Sequence, residues 1–436
     1  MQIALRTQIF DKTLIAIRCL GEMVIHVELY FSENLDPERL AKAVELLLKT
    51  EPVLGCRFIT DIRKAFWEKV AVEKRKTFFS VETEDAYEAF RRARHDIETT
   101  VAFKVCHWST TSGDRLLVKI AHEAADAGGC KEAIRQLANT YSQLKYDPGY
   151  QPSLNHGSRS AWQALRHIPL YRYPTIFLNY FEQTYKHLRY RPAFMLPMAT
   201  ERSDRPFYVL RHLPRDRIKQ AVKKARSLGA TINDMVLTAF TRAVMIEGKW
   251  DGASNLKTAY TVDFRKHLIP GGKAEAICNI SGFEYLNLGK APGTTAEDTL
   301  VKVALQTSAR KKNYPGVNDI AGGIVLGISL IPANALEQLG MRFLNFIIRK
   351  KLMADGITNL GEVDKADVTF DTAPAGAWLV APPIYPPTLL VGVSGYDGNI
   401  TLSCASYRPA MTPADVEKFL DRMETEMPGF DAHPLT

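Results

Sequence analysis

From about Tyr146 to Pro206 the chain is dense in proline, aromatic and arginine residues, and on either side of this stretch lies a separate set of strand and helix signals. Strands with flanking helices on both sides of it make two α+β lobes joined by a crossing the economical expectation. The expected bounds are 1–160 for the first lobe, 161–206 for the crossing and 207–436 for the second. With 436 residues, each lobe is long enough to bury a core without disulfides or a structural metal.

In the first half Ile25, Val27, Leu29 and Phe31 alternate with His26, Glu28 and Tyr30, the period of a strand. Asp36-Pro37-Glu38 then offers an N-cap, a proline at the first helical position and an early acid, before the buried stripe Leu40, Val44, Leu47 and Leu48. Phe78–Val81 and Phe103–Cys106 read as short strands, and Leu116–Ile120 as a buried one. A helix follows, with Ile134, Leu137, Ala138, Tyr141 and Leu144 on its apolar face.

The second half predicts strands at Tyr208–His212, Thr258–Val262, Ser281–Leu288, Trp378–Val380, Leu389–Val393 and Ile400–Ala405. Asp397-Gly398 joins the last two as a hairpin. Helices are expected from Arg215, over Thr231–Ile246 behind a near capping box of Thr231 and Asp234, over Ala296–Arg310, and after Thr412. Ala335–Leu352 is an apolar helix with Leu336, Leu339, Phe343, Phe346 and Ile347 on one side. It reads as a helix buried between the lobes, with a membrane-lying helix as the alternative.

Six scattered cysteines without CxxC or Cys/His spacing give no metal site and point to a reduced, cytoplasmic setting. Charges at Arg6, Asp11, Lys12 and Arg18 break any signal-peptide core. The longest uncharged run, Thr372–Tyr396, holds five prolines, so no spanning helix is expected. The positive charge is local: Arg159–Arg226 carries fifteen Lys and Arg against four acids, interleaved with aromatics in its first half. That composition suits single-stranded nucleic acid, an anionic membrane surface, or an acidic macromolecule or phosphorylated cofactor; a solvated linker whose aromatics pack onto the body explains it equally well. No nucleic-acid motif accompanies it.

The chemistry concentrates at one place. His122 follows the buried strand directly, stands four residues before Asp126, and is followed by Gly128 and Gly129 at the start of a helix. A strand end fixes a histidine's backbone while its ring reaches a cavity, as a general base requires. Asp126 could orient the loop by pairing with a buried arginine, and the glycine amides suit an oxyanion. A structural histidine fits the bare pattern as well. His95-Asp96, on a stretch with Arg91, Arg92 and Arg94, reads as surface.

The segment Ala121-His122-Glu123-Ala124-Ala125-Asp126-Ala127-Gly128 resembles the His-His-xxx-Asp-Gly signature of nonribosomal peptide synthetase condensation domains. Their relatives include chloramphenicol acetyltransferase-like, alcohol acetyltransferase and polyketide-associated acyltransferase families. Asp36–Leu40 through Pro52–Phe58, Thr231–Asp234, Val262-Asp263-Phe264-Arg265 and Thr358-Asn359-Leu360-Gly361 are similar to further pieces of that superfamily, in order.

The resemblance implies two chloramphenicol-acetyltransferase-like α/β sandwich lobes in a V, with a tunnel between them. It makes His122 the catalytic base and Asp126 the structural partner of Arg265. It also puts Gly128 and Gly129 near the oxyanion or pantetheine, and Asn233 and Asn359 in the tunnel lining. It departs at Ala121, where the signature has its first histidine, and at Ala127, where it has glycine. The implied reaction is acyl transfer from acyl-CoA or a phosphopantetheinyl carrier protein to an amine or alcohol, without metal or bound cofactor, by a monomer. The implied alternative is an inactive scaffold that binds a carrier or partner protein. The basic stretch would be the docking face of an acidic carrier.

Overall fold

Two large sheets and one small one organise the computed structural model, which describes residues 3–61, 64–189, 192–325 and 327–429. The first half runs β1 (Ile3–Arg6), α1 (Ile9–Ile17), β2 (Val24–Tyr30), α2 (Pro37–Thr50), β3 (Cys56–Thr60), β4 (Ala65–Lys69), β5 (Phe78–Val81) and α3 (Glu84–Arg92). It ends with β6 (Phe103–Thr110), β7 (Gly113–Ala121) and α4 (Ala127–Tyr146). The crossing holds α5 (Trp162–Leu165), α6 (Tyr173–Arg189) and β8 (Ala193–Phe194).

Then come β9 (Arg202–Leu213), α7 (Arg215–Ser227), α8 (Ile232–Glu247), β10 (Asn255–Asp263), α9 (Phe264–Leu268), β11 (Ser281–Gly289) and α10 (Ala296–Lys311). The chain continues through α11 (Val317–Val325), α12 (Ala333–Arg349), β12 (Gly356–Val363), β13 (Gly376–Val380), β14 (Leu390–Tyr396), β15 (Asn399–Pro409) and α13 (Pro413–Thr425).

The first sheet has the order β13-β2-β7-β6-β5, and β2, between β13 and β7, is buried along almost its whole length. The second has the order β11-β10-β12-β14-β15-β9, with β8 added beside β10. After β12 the chain leaves the second sheet, pairs β13 antiparallel with β2 so that Leu379 faces Val27, and returns as β14. The expected boundary near 207 therefore does not separate the sheets: a strand from the second half completes the first and covers its edge.

Local signals account for the helix starts. Asp36 accepts from the amides of Glu38 and Arg39 at the head of α2. Thr231 and Asp234 close a reciprocal capping box on α8, the most completely buried helix. One core packs α2 and α4 on the first sheet through residues such as Leu47, Val118 and Leu137. A second packs α8 and α13 on the other sheet through Phe240, Val391 and Phe419. A third, around Phe10, Ile176, Phe264, Cys278 and Ile280, lies under the crossing.

Two expectations, on His95 and on α12, are corrected. His95 is buried rather than on the surface: its Nε2 lies 2.7 Å from the Val101 carbonyl, and burial pushes the imidazole down to about 3. Of the charged neighbours that suggested a surface, Arg92 and Arg94 are exposed, whereas Arg91 turns in to pair with the buried Glu28 at 3.0 Å. The aromatic stretch of the crossing forms the helix α6, whose Tyr173, Phe177 and Tyr180 pack partly against the third core. The helix α12 is not buried between lobes: only Ala333 and Leu336 are buried, and Leu339, Phe343 and Phe346 are exposed. An apolar stripe signals burial only where another element covers it; α1 seats α12 and Leu336 is buried, but among the described residues nothing covers Leu339, Phe343 and Phe346.

Candidate active site at the end of the first sheet

His122 stands immediately after β7, half-buried, with its amide donating to the Met23 carbonyl at 2.9 Å. The strand fixes the residue, and the loop that carries it is gripped from three directions.

Asp126 provides the first grip. It is buried and caps α4, its Oδ1 accepting from the Gly129 amide at 2.9 Å. Its Oδ2 accepts from Arg265 Nη1 and from the Ile280 amide, each at 2.8 Å. Burial alone would raise this carboxyl, but the Arg265 charge and these hydrogen bonds outweigh it and hold the group below the usual carboxylate range. Burial opposes the charge on Arg265 as well, yet Asp126 overrides it and raises the guanidinium.

Arg159 provides the second. Buried, it pairs with Asp11 at 3.1 and 3.2 Å and donates to the carbonyls of Ile277, Ala124 and Glu123. Arg18 adds a bond to the buried Glu123 carboxylate at 3.0 Å.

The third is the segment Cys278-Asn279-Ile280 that leads into β11. Besides the Ile280 amide, Asn279 Nδ2 lies 3.3 Å from both the His122 carbonyl and His122 Nδ1, while Ser281 Oγ donates to Asn279 Oδ1 at 3.1 Å. The carboxamide orientation decides which ring nitrogen has a free lone pair. With Nδ2 facing Nδ1, the neutral ring carries its proton on Nε2. Turned over, Oδ1 would accept from Nδ1–H and leave Nε2 free to take a proton, at the cost of the bond to the His122 carbonyl.

His122, Asp126, Arg265, Gly128 and Gly129 thus meet in one place. The glycines serve packing: a Cβ on Gly128 would lie 2.7 Å from Arg265 Nη1. The Gly129 amide, one of the two expected at the oxyanion or pantetheine, donates to Asp126. Asn233 and Asn359 meet elsewhere, Asn359 Nδ2 donating to Asn233 Oδ1 at 3.1 Å. Their link to the His122 region is indirect: Lys131 on α4 donates to the carbonyls of Leu360 and Glu362, next to Asn359. A cavity of about 240 Å³ lies beside the Asp126–Arg265 pair, lined by Gly128, Gly129, Lys131, Arg265 and Lys266, and not by His122. Among the described residues no cluster of His, Cys, Asp and Glu could hold a metal ion.

No family model matches the chain, and neither does any curated protein. Solved structures do. Polyketide synthase associated protein 5 from Mycobacterium tuberculosis aligns at 15% identity over 95% of this chain and 96% of its own, with a TM-score of 0.65. The first condensation domain of the calcium-dependent antibiotic synthetase aligns at 13% identity over 99% and 96%, with a TM-score of 0.68. The chain has the condensation-domain fold. Trichothecene 15-O-acetyltransferase from Fusarium sporotrichioides shares it, at 13% identity over 98% and 95% and a TM-score of 0.67. Within the condensation-domain fold of this chain, Asn279 and Arg159 are the site residues that sequence reading missed. Asn279 lies 157 positions from His122, in a segment with no periodicity, and Arg159 was counted only as part of a basic run.

Proposed function

We propose that this chain is an acyltransferase that moves an acyl group from a phosphopantetheine thioester, on coenzyme A or a carrier protein, to an amine or alcohol. The observation that carries the reading is His122 at the end of β7, on a loop fixed by Asp126, Arg265 and Asn279, in a chain with the condensation-domain fold. The supporting comparisons include a condensation domain and an O-acetyltransferase.

In this reading His122 accepts the proton of the acceptor hydroxyl or amine as that group attacks the thioester carbonyl. The tetrahedral intermediate then collapses, the C–S bond breaks, and His122 returns the proton to the leaving thiolate. Asp126 and Arg265 act through the loop and do not touch substrate. A positioned base contributes roughly 10²–10⁴-fold, which sets the size of the expected loss.

The test is to incubate wild type and His122→Ala with a panel of acyl thioesters and pooled amine and alcohol acceptors, and to look for new acyl products by mass spectrometry. Product from wild type that collapses in an equally stable variant supports the proposal. Thioester binding without product from either protein favours the scaffold reading instead.

A further inference from the structure

We propose that the outer face of α6 and α12 docks on a membrane leaflet containing anionic lipid. This surface is separate from the His122 loop, and the inference does not depend on the reaction proposed above.

One side of α6 is anchored: Ile176 is buried, and Tyr173, Phe177 and Tyr180 pack partly against the third core. Leu178, Phe181, Tyr185 and Leu188 recur at intervals of three and four and so share a stripe. All four face solvent, Leu178 with 69% of its surface exposed and Phe181 with 55%.

The helix α12 is seated on α1 at Gly340, where a Cβ would come 1.7 Å from the Ala16 carbonyl oxygen. Only glycine allows so close a crossing. Past it, Phe343 (64% exposed) and Phe346 lie on one flank of the helix and the exposed Met341 and Ile348 on the other, with Arg342 and Arg349 between them. α11 contacts both α6 and α1, and α1 contacts α12, so these helices form one connected layer.

Charge identifies the occupant. Arg172, Lys186 and Arg189 accompany the α6 stripe, with Glu182 the one acid among them. Arg342, Arg349, Lys350 and Lys351 accompany α12, with Glu337 the one acid. Large apolar side chains flanked by Lys and Arg on surface helices suit a headgroup layer, where the rings and aliphatic chains enter the acyl boundary and the cations meet lipid phosphates. A second copy of the chain would bring like charges together on the same face. No helix among the described residues is long and apolar enough to cross a membrane, so the contact is with the leaflet surface.

Cosedimentation of the full chain with vesicles tests this. Vesicles of phosphatidylcholine alone are compared with vesicles in which about a third of the lipid is phosphatidylglycerol, at about 0.1 M and about 0.5 M salt. The expected result is binding to the mixed vesicles at least about tenfold above phosphatidylcholine alone, weakened by salt. The triple variant Phe181→Glu, Phe343→Glu, Phe346→Glu should bind about tenfold less or weaker still. These side chains are exposed, so melting temperature should hold. If it does not, Arg349→Glu with Lys350→Glu supplies the same readout through charge alone. Failure to bind the mixed vesicles, or binding that neither variant reduces, overturns the proposal. So does a concentration-dependent dimer, or a complex with an acidic carrier protein, that forms without vesicle binding and is lost in the triple variant.

Discussion

The Asp126 carboxylate accepts from the Arg265 guanidinium at 2.8 Å across 139 residues of sequence, and both groups are buried. One end of that pair caps the helix that follows His122. The other stands just beyond β10, and its Nη2 donates to the Cys278 carbonyl at 2.9 Å, beside Asn279. The pair therefore locks the histidine loop of the first half to the segment of the second half that reaches the histidine ring. Removing Asp126 leaves the buried Arg265 charge with only its longer, 3.3 Å contact to the half-buried Asp263. Asp126→Ala is expected to cost roughly 3–5 kcal/mol in urea denaturation. Adding Arg265→Met should recover part of that loss, since the stranded charge goes with it. A double variant no more stable than Asp126→Ala would mean that the two residues do not act as a pair.

The same carboxyl sets an acid limit. Its folded value lies below the unfolded one, so its contribution is fully present above about pH 4 and is lost as pH falls through the folded value. The stability gap between wild type and Asp126→Asn should therefore narrow progressively below about pH 4. Melting temperatures across that range read it out, and a gap that widens on acidification contradicts the assignment.

Asp355 slopes the other way. It is buried where β12 begins, and burial raises its carboxyl to about 6 against hydrogen bonds from the Leu196 and Leu389 amides and the Thr388 hydroxyl. A raised folded value means that the folded chain holds the proton more tightly. Its contribution is complete below about pH 4, where the unfolded carboxyl is also protonated, and drains away as pH rises toward 6. Asp355→Asn should flatten that part of the stability profile. An unchanged slope in the variant would place the titration on another group.

The difference between what sequence could and could not supply follows from distance along the chain. Helix caps at Asp36, Thr231 and Thr412 lie within four residues of what they bond, so their helices were legible to within a residue or two. His122 and Asp126 were legible for the same reason, as a short motif after a buried strand. The insertion of β13 beside β2 was not, because Leu379 and Val27 are strangers in sequence and a strand pattern does not name its sheet. Arg159 has the same limitation: in a run of basic residues nothing distinguishes the one that turns inward to Asp11. α12 failed for the opposite reason, because its local pattern was clear while its cover was assumed.

Asn279 gives the prediction closest to the chemistry. Its amide touches the His122 carbonyl and Nδ1, so it holds the ring and selects its tautomer. Asn279→Ala should lower kcat about tenfold or more with little change in KM, as expected when a base is disoriented while substrate binding is intact. Asn279→Asp makes a sharper test. A carboxylate at that distance favours the imidazolium and, once the ring is neutral, accepts from Nδ1–H and leaves the Nε2 lone pair free. The acid limb of the kcat profile should then move up by about one pH unit or more. If Asn279 merely fills space, both variants lower the melting temperature and the limb stays where it is in wild type.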